Sequence, residues 1–355
     1  MRKTAFALLL APLAAGTAFA GSSSVGTASV PFLLMPAGAR AVGMGGTGAA
    51  SAEDATAMLW NPALLSKAES NSVSLMHSAY LESSIYDFAA LNWKLSPNQA
   101  IGFSAQYFSA GKIDSTDDSG DDLGTIHPYD ASVALGYSVT LNGWAFGLTG
   151  KAIQSKIINT GKAFAADAGV CPPDMLDGKL RLGASVSNLG SKIRYDATNE
   201  KLSSAVRGGA RYKFTPMFTL VADAVMPNAG KTYVAAGFEA DLPVGEEIKA
   251  ALRAGYSTQP DSDGFSGAAA GFGFRTKDYG IDYAFAPFGA LGNTHRFSVN
   301  FYWGGTAQQT TKKPVRQQQQ QNRINPYRNN SYKTPKIQNS PSNKRTGYTP
   351  YNTRQ

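Results

Sequence analysis

From about residue 71 onward, bulky apolar residues alternate with small or polar ones in segments of roughly ten, each followed by a turn. The last segment is the clearest. Phe297, Val299, Phe301 and Trp303 alternate with Arg296, Ser298, Asn300 and Tyr302. Successive side chains of a strand point to opposite faces, so this pattern predicts one apolar and one polar face. Fourteen such segments are predicted near 71–81, 85–94, 99–109, 128–139, 143–154, 163–171, 179–189, 204–214, 216–226, 231–241, 247–257, 264–275, 278–287 and 294–303. Ten-residue alternating strands with aromatic ends are the pattern of a transmembrane β-barrel. A soluble β-sandwich with one wet face would alternate in the same way. The strand count, the aromatic ends and the chain's N-terminus favour the barrel.

The facing follows from the alternation. Ile101, Phe103, Ala105 and Tyr107 are expected on the lipid side, with Gly102, Ser104, Gln106 and Phe108 opposite. Trp144, Phe146 and Leu148 oppose Ala145, Gly147 and Thr149. In the last strand Phe297, Val299, Phe301 and Trp303 form the lipid face, and arginine is expected to be tolerated at Asn300. The lumen then holds Arg181, Arg207, Arg211, Lys249, Arg253 and Arg296 against Asp130, Glu239 and Asp282. Short connections (96–98, 141–143, 215–216) alternate with long ones (110–127, 189–203, 287–293), as in barrels whose long loops face outward from the cell. An even strand number puts both barrel ends on the periplasmic side.

The N-terminus reads as an export signal. Arg2 and Lys3 precede an apolar stretch over 5–15 and an Ala18-Phe19-Ala20 cleavage site. That stretch is too short to span a bilayer, and no later run is long and apolar enough to do so. The expected organisation is therefore a signal peptide (1–20), a Gly- and Ala-rich N-terminal hatch (21–70), the barrel (71–304) and a disordered basic tail (305–355). The fold class is all-β, an antiparallel transmembrane barrel of about 14 strands, in the outer membrane of a Gram-negative cell.

Charge changes the picture only at the C-terminus. The formal charge of +8 is dominated by residues 306–355, which carry ten Lys or Arg and no Asp or Glu. Setting aside those ten and the two basic residues of the leader leaves 21 basic against 25 acidic residues. Nucleic-acid binding is not indicated for the body. The tail has a Gln317–Gln321 run and few aliphatics, too few to offset its ordering entropy. Its expected partner is an anionic polymer such as peptidoglycan. Cys171 is the single cysteine, so no internal disulfide forms, and His77, His127 and His295 lie far apart without metal-ligand spacing. No nucleophile–base pairing is visible. No catalytic, cofactor or metal residues are assigned, and no enzyme activity is expected.

The densest local information lies over 38–63. Gly43-Met44-Gly45-Gly46-Thr47-Gly48 spells G-x-G-x-x-G, but no buried strand precedes it and no long helix follows, so it is not a dinucleotide site. A helix is expected over about 52–59, capped by Ser51 with Asp54 three residues on, and ended by Asn61-Pro62. Arg40 is expected to pair with Glu53 or Asp54. Such a compact small-residue segment suits packing inside a barrel mouth, although a flexible linker has similar composition.

These residues also carry a resemblance. Gly38-Ala39-Arg40-Ala41-Val42-Gly43-Met44-Gly45-Gly46, then Glu53-Asp54-Ala55-Thr56-Ala57, then Trp60-Asn61-Pro62-Ala63, resembles the opening of the PorV/PorQ family, related to FadL-type barrels. Leu180–Gly190, Asp282–Phe285 and Thr294–Ser298 resemble recurring strands of that family. The resemblance implies a fourteen-stranded barrel with an N-terminal hatch whose motif residues are Gly38, Arg40, Gly43, Gly45, Gly46, Asp54, Asn61 and Pro62. It implies a role in type IX-type secretion or surface assembly, with outer-membrane lipid, secreted proteins and secretion components as partners. Two alternatives follow: a FadL-like channel for hydrophobic small molecules, and a structural barrel tethered to the cell wall by its tail. The fifty residues after Trp303 depart from barrels that end on the last strand.

Overall fold

The computed structural model describes residues 28–304, apart from 196–198, 260–266, 289–291 and the side chain of Glu82. The expected signal peptide and basic tail lie outside the described residues. Fourteen antiparallel strands close into one barrel. They are β1 (Asn71–Ala79), β2 (Ile85–Ser96), β3 (Gln99–Ser109), β4 (Tyr129–Leu141), β5 (Trp144–Lys156), β6 (Thr160–Cys171) and β7 (Leu180–Gly190). Then follow β8 (Ala205–Lys213), β9 (Phe218–Pro227), β10 (Tyr233–Val244), β11 (Ile248–Ser257), β12 (Ala268–Arg275), β13 (Tyr279–Pro287) and β14 (Asn293–Trp303). The barrel closes by pairing β14 with β1, Trp303 opposite Asn71. Closure leaves no sheet edge, which excludes the sandwich and satisfies every strand within the wall.

Every expected strand is present, with ends shifted by a few residues. The Asn142-Gly143 turn has positive φ at both positions (49° and 85°), the backbone that a two-residue hairpin requires. The segments before Asn71 and after Trp303 meet the same rim, called here the terminal rim. The opposite, loop-bearing rim holds the connection 110–128 and the described parts of those that follow Gly190, Ser257 and Pro287. The alternation did not foresee a small hairpin within the first of these, Ile113–Thr116 paired with Asp122–Ile126.

The facing is as the alternation predicts. Ile101, Phe103, Tyr107, Trp144, Phe146 and Leu148 are exposed outward, while Gly102, Ser104, Gln106, Ala145, Gly147 and Thr149 are turned inward and buried. Phe297, Val299, Phe301 and Trp303 are exposed in the same way. Aromatics gather near the terminal rim, where Trp93 and Trp303 meet edge-on at 6.1 Å between ring centroids. Lys249 departs from expectation. It sits one residue from the start of β11 and is exposed, because the strand end rises clear of the packed lumen.

The lumen is filled by the chain's own N-terminal segment. Ala28–Ser29 pairs in parallel with Asn199–Leu202 at the loop-bearing rim, and the chain then descends to the terminal rim before entering β1. Two apolar layers form on the way. Near the loop-bearing rim, Phe32 and Leu33 pack with Tyr86, Phe88, Ile153 and Ile193. Lower down, Met58, Trp60, Leu64 and Leu65 pack with Ala100, Ala134 and Ala145. Between wall and segment lie cross-strand glycine pairs: Gly102 with Gly136, Gly147 with Gly169, Gly183 with Gly209, and Gly237 with Gly255. A Cβ at Gly183 would overlap the carbonyl oxygen of Ala49, and one at Gly147 would overlap the Pro62–Ala63 backbone. Glycine is required there by close backbone approach. Gly183→Val is therefore expected to leave the barrel closed but unseat the segment. The measurement is proteolysis of the folded protein, and unchanged resistance over 38–63 would contradict the packing described.

Candidate functional site

The inner segment begins its descent with a short helix, α1 (Ala39–Gly43). Gly38 precedes it with φ 87°, and its N–H points to Met76 Sδ at 3.1 Å. The helix ends in tight backbone hydrogen bonds, Gly45 N to Val42 O at 2.9 Å and Gly46 N to Ala41 O at 2.9 Å, with φ 77° and 80°. Positive φ explains the glycine run. Gly43 lies against the backbone of Gly271, and Gly45 against that of Tyr256. The G-x-G-x-x-G string is thus a helix stop moulded to the wall.

Arg40 projects from α1 into a chain of buried charges. Its main partner is Glu239 on β10, and the expected pair with Glu53 is present but longer. Nε donates at 2.8 Å and Nη2 at 2.6 Å to the two carboxylate oxygens. Nη1 donates to Ser51 O at 2.9 Å, and Glu53 stands farther off at 3.6 Å. Arg253 Nε donates to the same Glu239 at 2.7 Å, its Nη1 to Asp282 at 2.7 Å, and Asn300 Nδ2 to Asp282 at 3.1 Å. The fork of Arg40 meets the carboxylate with two bonds, the strong geometry for such a pair.

Glu53 takes a different role. It accepts from Arg211 and, at 2.8 Å, from Lys213. Burial would raise its carboxyl, but Lys213, Arg40 and Arg211 hold it well below the usual carboxylate range. Asp54 makes no ion pair with Arg40. Its Oδ1 accepts from the N–H and hydroxyl of Thr56 at 2.9 and 2.5 Å. That side-chain turn competes with helix, so the expected helix over 52–59 starts late, as α2 (Ala57–Trp60). Ser51 does not cap it; its hydroxyl donates to Thr47 O at 3.3 Å. Asn61 does end α2, in extended backbone. Its Nδ2 donates to Ala49 O at 2.8 Å, and its Oδ1 accepts from Ala63 N at 3.1 Å, while Pro62 lies against Gly147 and Gly169.

Three further ionic groups, two buried and one half-buried at the rim, involve acids and lysines that the sequence reading did not name. Asp223 accepts from the N–H groups of Gly48 and Ala49 at 2.8 and 3.0 Å and from Arg207 at 3.3 Å. Lys151 pairs with Asp167 at 2.8 Å and donates to Asn188 at 2.7 Å. A charge between apolar neighbours in an alternating strand was the available signal. At the terminal rim, Lys67 of α3 (Leu64–Lys67) and Arg181 both donate to Asp174, at 2.9 and 2.8 Å. Burial raises that carboxyl, and the two cations outweigh burial and hold it down to about 2. A depressed folded pKa gives stability that is present above about pH 4, the unfolded value, and is lost as pH falls toward 2. The thermal mobility shift of the full chain in detergent is expected to weaken between pH 5 and pH 2.5, and less so in Asp174→Asn. Equal slopes in both proteins would remove Asp174 from this role.

The arrangement therefore ties a segment to a wall. Among the described residues no three His, Cys, Asp or Glu side chains are placed to hold a metal.

Comparisons agree with this architecture. Residues 20–218, just over half the chain, match the family model described as type IX secretion system protein PorV. No match is found among curated proteins. The toluene transporter TodX of Pseudomonas putida superposes with TM-score 0.52 at 14% identity, over 75% of this chain and 96% of TodX. A second TodX structure gives 0.52 at 11% identity, over 76% and 99%. A Pseudomonas aeruginosa FadL homologue gives 0.48 at 10%, over 80% and 99%. At these identities the TodX superposition shows a shared fold. The extent of the family match, over the inner segment and the first half of the barrel, places the chain in the PorV family of type IX secretion system proteins.

Proposed function

We propose that this outer-membrane barrel serves type IX protein secretion as a protein-handling component, with its inner segment acting as a fixed seal. The family match over residues 20–218 carries the reading. The lumen supports it. Glycine pairs, two apolar layers and the Arg40–Glu239–Arg253–Asp282 chain bind the segment along the depth of the barrel. A barrel sealed in this way does its work at its rims and outer wall. The loop-bearing rim, with its long connections, faces out of the cell in this reading, and the terminal rim faces the periplasm. The partners are components of the secretion system and the proteins it exports. The family match supports a secretion-associated role for the barrel.

Channel activity for hydrophobic compounds is the competing role, and one experiment separates the two. The gene is deleted, and the secreted and surface proteomes are compared with the uptake of a labelled monoaromatic hydrocarbon. Exported proteins are expected to be retained in the periplasm while uptake is unchanged. Normal export with lost uptake would overturn the secretion role.

A further inference from the structure

The outer face of the wall carries one acid. Among the fourteen strands, Asp130, Asp167, Asp223, Glu239, Asp241 and Asp282 all point into the lumen, and Asp87 alone points outward. Its side chain is 41% exposed. Oδ1 lies 2.6 Å from Nδ1 of His77, the residue opposite it on β1. Nδ1 faces the carboxylate and so carries the proton of this bond. The other carboxylate oxygen has no partner among the described residues, and no Lys or Arg lines the surface around it. Beside the pair the wall is hollow. Ala89 and Ala105 face each other on β2 and β3, one row farther from the loop-bearing rim than Asp87 and Tyr107. Leu75, Phe297 and Val299 flank them, and the hollow so formed has a volume of about 450 Å³ and opens outward. Bulky Leu91 and Phe103 occupy the next row.

The neighbouring rings fix the depth of this feature. Tyr107 stacks on Tyr129 with centroids 6.0 Å apart, and farther round the wall the Tyr283 hydroxyl lies 2.8 Å from His295 Nδ1. These polar-tipped rings form a belt near the loop-bearing rim, as Trp93 and Trp303 do near the terminal rim. Such belts mark the boundary between hydrocarbon and head groups. Asp87 therefore stands at head-group depth, and the alanine hollow extends from it into the hydrocarbon. A carboxylate on a lipid face is costly unless it is answered. His77 answers one oxygen, and the other is left for a donor from outside the chain. A primary ammonium brings a positive charge and three N–H donors. A trimethylammonium has no N–H, and a head with only a phosphate meets Asp87 as a like charge. The hollow adds the second requirement, an apolar chain joined to the same head. At roughly 30 Å³ for a water-sized group, it holds about fifteen chain carbons.

We propose that this outer-wall hollow is a binding site for one ethanolamine-headed phospholipid of the surrounding membrane. Asp87, oriented by His77, takes the ammonium, and one acyl chain lies over Ala89 and Ala105. The lipid stays outside the barrel and makes no contact with the inner segment. The site needs the barrel to stand in a membrane but does not depend on the secretion reading.

The test uses the full chain folded in detergent and native mass spectrometry. Dilauroyl phosphatidylethanolamine and dilauroyl phosphatidylcholine, which share their acyl chains, are added in equal amounts. The barrel is expected to retain one ethanolamine lipid, about fivefold or more over the choline lipid, the effect of one hydrogen bond to a charged group at a half-exposed site. Dilauroyl phosphatidylglycerol, which has no ammonium, should be retained no better than the choline lipid. Asp87→Asn should remove the preference between heads. Ala105→Leu should fill the hollow and weaken retention of both lipids. Both changes lie on the outer face, and a mobility shift on an unheated gel checks that each variant is folded. If Asp87→Asn fails to fold, the comparison of heads on the natural chain and the Ala105→Leu result decide together. Equal retention of the two lipids by the natural chain, an undiminished preference in folded Asp87→Asn, or undiminished retention in folded Ala105→Leu would overturn the proposal. A dimer that Ala105→Leu disperses, with no lipid preferred, would make the hollow an interface between copies and overturn it as well.

Discussion

Glu239→Ala is expected to release the inner segment from the barrel wall. The Glu239 side chain is 3% exposed and receives three charge-assisted hydrogen bonds, two from Arg40 and one from Arg253. Removing it leaves two guanidiniums buried. Arg253 keeps Asp282, but Arg40 keeps only Ser51 O and the more distant Glu53. Breaking a buried pair on one side costs about 3–5 kcal/mol, because the remaining charge is uncompensated. Most of that cost falls on the docked segment, since Arg40 can regain water only if the segment leaves its place. The wall strands keep their ladder bonds, so the barrel survives. Protease should then cut within 38–63 in the folded barrel, and planar-bilayer conductance to small ions should rise. Arg40→Ala/Glu239→Ala together should cost less than the sum of the two single changes, because the pair is removed as a unit. If Glu239→Ala resists protease and conducts no more than the natural chain, the ionic belt does not hold the segment.

Val299→Arg should destabilise the barrel by about 2–4 kcal/mol in lipid, the cost of a cation on the lipid face near mid-bilayer. Val299 lies near the middle of β14 and points outward. Phe301 is only two residues from the end of the strand, so the same change there should cost less. The neighbouring Asn300 was expected from alternation to tolerate arginine on a hydrated lumen face. The structure corrects this. Asn300 is buried, bonds Asp282, and borders a void of only about 10 Å³ beside Arg40 and Asp54. Arginine there overfills the packing and brings a second cation to an occupied carboxylate. The two variants are separable by solvent. The Val299→Arg penalty should be large for refolding into bilayers and small in detergent, whereas the Asn300→Arg penalty should persist in both. A Val299→Arg barrel as stable in bilayers as the natural chain would show that this face does not meet lipid.

Alternation alone placed the fourteen strands, turned Phe297, Val299, Phe301 and Trp303 outward, and turned Gly102, Ser104 and Arg253 inward. It could do so because side-chain direction in a strand is a local property with a period of two. The Asn142-Gly143 turn was legible for the same reason, since its backbone demand falls on two adjacent residues. The PorV-type motif over Gly38–Ala63 was also readable, because a short dense string of glycine, Arg40 and Asn61-Pro62 needs no partner to be recognised. The sequence could not say what Arg40 touches. The nearby acids Glu53 and Asp54 were the natural candidates, but Glu239, 199 positions away, takes the guanidinium. Local chemistry drew Asp54 to Thr56 instead. The path of the inner segment from the loop-bearing rim to the terminal rim was hidden as well, as was the reason for the wall glycines. Arg296 is the plainest case. Its inward direction follows from its place in the strand, but its packing against the ring of Tyr80 depends on closure of β14 against β1. Direction is set residue by residue along the chain; partnership is set by which distant strands the closed barrel and its filling segment bring within hydrogen-bond reach.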